Sequence, residues 1–127
     1  PTQPTNGNCA YRCDSNDGGK TWSSARPEHG CHNTWSKSWY FIENEGTEVY
    51  IYSPDTIRER LGLSWVQRAP GDESWGEPRV FYDGENRNSY PTLVARNDTG
   101  WYAVWDSSQD KKHRRTRICF GKFDVGE

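Results

Sequence analysis

Short apolar strands recur along this chain at intervals of roughly 50 residues, and that recurrence restricts the fold more than any single residue does. Trp22 and Trp75 each close a turn-rich segment that follows such a strand, Cys9–Cys13 before the first and Leu61–Gln67 before the second. A third strand, Arg117–Phe123, starts at a similar interval after the second. Within the middle unit Val49 and Ile51 alternate with Tyr50 and Tyr52, while Leu61, Leu63 and Trp65 alternate with Gly62, Ser64 and Val66. A period of two is what an extended backbone imposes, because successive side chains leave opposite faces of a sheet. No stretch sustains the 3.6-residue period of a helix, so helix should be scarce.

Composition agrees with that pattern. Only 31% of residues are hydrophobic but 14% are aromatic, with seven Trp, seven Tyr and four Phe, a mix that suits a pleated surface better than a helical stripe. Twelve Gly and seven Pro supply frequent turns. At 127 residues there is room for one core, whole or partial. A net charge of -2 offers no basic footprint for nucleic acid, and no apolar run reaches the ~18 residues of a membrane helix. Neither partner is expected. Four cysteines, Cys9, Cys13, Cys31 and Cys119, allow two disulfides or none, with Cys13–Cys31 or a bond from either to Cys119 the reachable pairs. The acceptor tripeptide Asn97-Asp98-Thr99 suits a secreted or periplasmic location. The chain starts at Pro1 and contains no Met, so its N-terminus is expected to arise from processing, design or truncation.

Four strands can be traced in the middle: Trp39–Glu43, Glu48–Ser53, Leu61–Arg68 and Pro78–Tyr82. A further three follow at Tyr90–Ala95, Trp101–Trp105 and Thr116–Phe123. The expected organisation is a single all-β unit: a partial blade over 1–35, a full four-stranded blade over 36–84, and a blade lacking its last strand over 85–127. Such a β-propeller of two to three blades is incomplete, since propellers close with about four blades or more. The expectation is therefore either the C-terminal part of a longer chain or a homo-oligomeric ring of copies. An independent sandwich of about ten strands is the competing architecture.

Ser15-Asn16-Asp17-Gly18-Gly19-Lys20-Thr21-Trp22 fits S-x-D-x-G-x-T-W at every fixed position. This is an Asp-box, a hairpin clasp in which the Asp carboxylate gathers turn N–H groups and Gly takes a positive φ. Ser15, Asp17, Gly19, Thr21 and Trp22 are thus structural candidates, with the Trp expected to pack between blades. Ser74-Trp75 shares the position of a second box without its pattern. Through the Asp-box and the stretch Ser89-Tyr90-Pro91-Thr92-Leu93-Val94 before Trp101–Trp105, the chain resembles the sialidase-like family of BNR-repeat propellers.

That resemblance implies a glycan partner and a role for particular residues. Tyr90 takes the place of the nucleophilic tyrosine, and Arg58 or Arg60, in Arg58-Glu59-Arg60-Leu61, that of a carboxylate-binding arginine. Arg12 lies near another arginine of that clamp but is displaced by one position, and Asp106 and Trp105 are candidate substrate contacts. Guanidiniums suit this task because they hold a sugar carboxylate by paired, charge-assisted bonds. A neutral tyrosine suits attack on a sugar that already carries a carboxylate, which is why sialidases depart from the two-carboxylate scheme. The family's remaining arginine, its acid and the tyrosine's Glu partner come from earlier blades, so the isolated chain should be inactive. Neither metal nor cofactor is implied. Two non-enzymatic readings compete: a lectin-like carbohydrate-binding propeller, and a structural module of an oligomeric ring. The basic run Lys111-Lys112-His113-Arg114-Arg115 reads as a solvated loop.

Overall fold

The computed structural model describes residues 9–32, 37–54, 61–97, 100–108 and 116–123. Eight strands and no helix occur among them. Strands β1 (Cys9–Arg12) and β2 (Arg26–His32) form an antiparallel pair joined through the Asp-box turn. The other six, β3 (Trp39–Ile42), β4 (Glu48–Tyr52), β5 (Leu61–Arg68), β6 (Arg79–Asn97), β7 (Gly100–Ser108) and β8 (Thr116–Phe123), form an antiparallel meander in chain order. The alternating segments of the sequence are these strands.

The meander is bent, not flat. β6 is 19 residues long and serves two neighbours: Arg79, Val80 and Tyr82 pair with β5, whereas Arg87 onward pairs with β7. Between the two stretches the β5 register jumps from Leu63↔Tyr82 to Leu61↔Arg87. Gly62 sits at that jump with φ +71, and a Cβ there would lie 3.0 Å from the Tyr82 carbonyl oxygen. Only glycine tolerates both the backbone conformation and the close approach.

The bend folds the two halves of the meander against each other. Val49 and Ile51 of β4 and Leu63 and Trp65 of β5 meet Ala103 and Trp105 of β7, with Phe41, Phe81, Tyr82 and Trp101 around them. On the opposite face of the same strands, Tyr50, Tyr52 and Val66 pack with Cys31 of β2 and with Ala10 and Trp75. The period of two therefore does not separate a wet face from a dry one here. Both faces of β4 are buried, and each large side chain enclosed contributes about 1.5–3 kcal/mol. Three layers result, with β4 and β5 in the middle.

All four cysteines are free thiols, so the two-disulfide alternative is set aside. Burial pushes the Cys31 thiol up, which keeps it protonated and lets it act as a small apolar core group.

Candidate functional site

Two places in this fold gather the chemistry. One is the Asp-box with the cleft beneath it; the other is a bulge on β6.

At the Asp-box, Asp17 Oδ1 accepts the backbone N–H groups of Lys20 (3.0 Å) and Thr21 (2.9 Å) and the Ser15 hydroxyl (2.9 Å). Its Oδ2 accepts the Thr21 hydroxyl at 2.6 Å. These bonds, the Thr21 hydroxyl foremost, lower the Asp17 carboxyl to about 2. Ser15 Oγ in turn accepts the Gly19 N–H at 2.8 Å, and Gly18 and Gly19 hold φ values of 71° and 86°. Every fixed position of the motif is thus used to shape the turn, and Asp17 is spent on it. Trp22 departs from expectation. Its Nε1–H bonds back to the Gly19 carbonyl at 3.1 Å, and the ring is 64% exposed instead of being packed between sheets, because the turn projects past the end of β1 and β2.

Arg12 belongs to a chain of charges that ties this hairpin to the middle layer. Arg26 Nη2 lies 2.5 Å from Asp14 Oδ2, Arg12 Nε donates to Asp14 Oδ1 at 2.6 Å, and Arg12 Nη1 donates to Glu48 Oε1 at 2.7 Å. Arg68 then pairs with Glu48 Oε2 and donates from Nη1 to Glu28 Oε1 at 2.8 Å, where Trp75 Nε1–H also arrives at 2.9 Å. Burial alone would raise the Glu48 carboxyl, yet bonds from Tyr40, Arg12 and Arg68 outweigh it and hold the group below the usual carboxylate range. The Tyr40 phenol moves up, through burial and then its 2.6 Å bond to Glu48. The Arg12 guanidinium is therefore clamped between two carboxylates and over the Tyr40 ring, 5.5 Å from its centroid. None of these partners is Tyr90.

Glu28, Glu48, Arg68 and Trp75 were not singled out as functional from the sequence. A signal was present for one pair: Glu48 opens one strand and Arg68 ends the next, so an antiparallel meander sets them side by side, as the register Glu48↔Arg68 shows.

The second place lies where β6 meets β7. Ser89 pairs with Asp106 and Thr92 with Val104, so Tyr90 and Pro91 together stand opposite Trp105. This is a bulge, and Pro91, which has no N–H for the ladder, is tolerated there. Pro91 is buried, whereas Tyr90 is 46% exposed with φ +52, the one described non-glycine residue with positive φ. A bulky residue in that conformation costs of order 1–3 kcal/mol and is held only by its surroundings. Trp105 is corrected from ligand contact to core residue: it is buried, donates Nε1–H to Asn88 Oδ1 at 3.1 Å and packs edge-on to Phe81. Inward residues of β7 alternate, and Trp105 falls on the inward set with Ala103. Asp106 is partly buried, and its Oδ1 has no hydrogen-bond partner among the described residues. The fold thus brings Tyr90, Trp105 and Asp106 to adjacent register and leaves Arg12 in the other cluster. Arg58, Arg60 and the basic run 111–115 lie outside the described residues. Among the described residues no group of His, Cys, Asp and Glu is arranged to hold a metal.

Bent antiparallel sheets packed face to face, with an Asp-box at a hairpin, define an all-β repeat protein that fits a propeller-like fold. The BNR repeat-like domain family matches residues 3–118, and the chain belongs to that sialidase-like family. No curated protein and no solved structure matches it.

Proposed function

We propose that this chain is the C-terminal portion of a sialidase-like glycoside hydrolase, two to three blades of a propeller that acts on terminal, acidic sugars. Tyr90 is its nucleophile, and Arg58 or Arg60 holds the sugar carboxylate. The observation that carries the reading is the strained, solvent-facing Tyr90 on its bulge: packing alone would favour burying the ring and relaxing the backbone. In this reaction the Tyr90 oxygen attacks the anomeric carbon and gives up its proton to a carboxylate. The glycosidic bond breaks as an acid protonates the leaving oxygen, and water then hydrolyses the glycosyl–tyrosine bond. Asp106, in adjacent register, accepts a substrate hydroxyl. The acid and the remaining arginine come from preceding blades, supplied by a longer chain or by other copies in a ring.

Turnover of a fluorogenic sialoside by the intact protein tests the reading. Tyr90→Phe should reduce kcat by at least about a thousandfold, as loss of a nucleophile does. Undiminished turnover in Tyr90→Phe refutes it, and glycan binding without turnover assigns the propeller to a lectin-like role instead.

A further inference from the structure

Beneath the Asp-box, between the β1–β2 hairpin and the middle layer, lies a cleft of about 530 Å³, within the usual size of a small-ligand site. Trp22, Tyr11, Tyr40 and Trp75 are among its walls and Glu28 is part of its lining. Tyr90 and Asp106 are not, so this is a place apart from the bulge on β6.

Three features decide what it can hold. The first is rigid aromatic surface whose polar handles are already engaged. Trp22 Nε1–H is tied to Gly19, Trp75 Nε1–H to Glu28 and Tyr40 O–H to Glu48, which holds these rings in place. Trp22 and Tyr11 remain 64% and 69% exposed. Pre-ordered rings bind at low entropic cost. The second is a half-used acceptor. The Glu28 side chain is only 12% exposed; its Oε1 takes both Arg68 and Trp75, while its Oε2 receives no donor among the described residues. A carboxylate has about four acceptor sites, so Oε2 calls for an O–H or N–H from the cleft.

The third is charge. Arg12, Arg26 and Arg68 are matched one for one by Asp14, Glu48 and Glu28. Among the described residues that line the cleft, an anionic ligand finds no unpaired cation, and it meets Glu28. A cationic one finds the Tyr40 and Trp75 faces already held by Arg12 and Arg68, the latter 4.6 Å from the Trp75 centroid, and shares the cleft with the Arg12 guanidinium. What remains is a neutral molecule with an apolar face and hydroxyl donors. We infer that this cleft binds a neutral pyranose, its C–H face stacked on Trp22 and a hydroxyl donated to Glu28 Oε2. It is a second sugar site on the rim of the molecule, and it stands whether or not Tyr90 is a nucleophile.

The test is titration of the full chain with methyl glycosides of glucose, galactose and N-acetylglucosamine, alongside N-acetylneuraminic acid and tetramethylammonium, followed by calorimetry and saturation-transfer NMR. At least one neutral glycoside should bind. Trp22→Ala and Tyr11→Ala should each weaken it by about tenfold, the loss of one stacking contact. Trp22→Phe should retain part of the affinity, and Ile118→Ala, on the far face of β8, none of the loss. Tyr11 is exposed enough that its truncation leaves the fold standing should the Trp22 variant not fold. The inference fails if no neutral glycoside binds, if binding ignores both substitutions, or if only the acid or the ammonium ion binds through Trp22.

Discussion

The two faces of the middle layer are built from alternate residues of the same strands, yet they are sealed by different physics. Toward β7 the contact is apolar and dry: Val49, Ile51, Leu63 and Trp65 against Ala103 and Trp105, with Phe41 centred 4.1 Å from Trp101. Toward the β1–β2 hairpin a small cluster of Tyr50, Tyr52, Val66 and Cys31 is edged by the alternating charges from Arg26 to Glu28, and a cleft is left open. The dry face gains from area removed from water and needs shape to match. The charged face gains little from any one pair, because desolvation consumes most of the attraction, but it becomes costly once a single partner is taken away. Stability should therefore be lost in different ways on the two sides.

The largest effect is expected on the dry side. Trp105→Ala removes the ring that fills the space between Phe81, Tyr82 and Gly121, and should cost about 4 kcal/mol in denaturant unfolding. A loss below about 1 kcal/mol would mean that the two halves of the meander are not sealed there. On the charged side, Glu48→Gln takes the carboxylate shared by Arg12 and Arg68, leaves three guanidiniums to the two carboxylates Asp14 and Glu28, and should cost about 3 kcal/mol. Replacing all four of Glu48, Arg12, Arg68 and Glu28 by apolar residues of similar size, which leaves Asp14 paired with Arg26, should cost less than that single change, whereas additive losses would overturn the contrast.

The smallest effect is a response to acid at the exposed turn. Asp17 is held below its unfolded value, so its contribution to stability is complete above about pH 4 and disappears as the pH falls through about 2. A carbon-13 titration of the Asp17 carboxyl should show its midpoint near 2. A midpoint at the ordinary value would show that the clasp is not closed in solution.

Much of the strand order was legible in the residues themselves. Tyr50 and Tyr52 between Val49 and Ile51 mark an extended strand, and the Asp-box announces its own turn, because both depend on neighbours a few positions away. The roles of Trp22, Trp105 and Arg12 were not legible. Alternation says that two residues leave opposite faces, but not what waits on either face. Trp105 looked like a ring at a strand end, and the register of β6 against β7 turned it inward onto Asn88. Trp22 looked like packing, and the projection of its turn set it in water.

Strand identity, turn chemistry and the family pattern are thus short-range properties, and the chain encodes them directly. The bend at Gly62, the pairing of Arg12 with Glu48, the strain at Tyr90 and the open oxygen of Glu28 join residues tens of positions apart. Those depend on how the sheets close on one another, since a long-range contact exists only after register and bend have brought its two ends together.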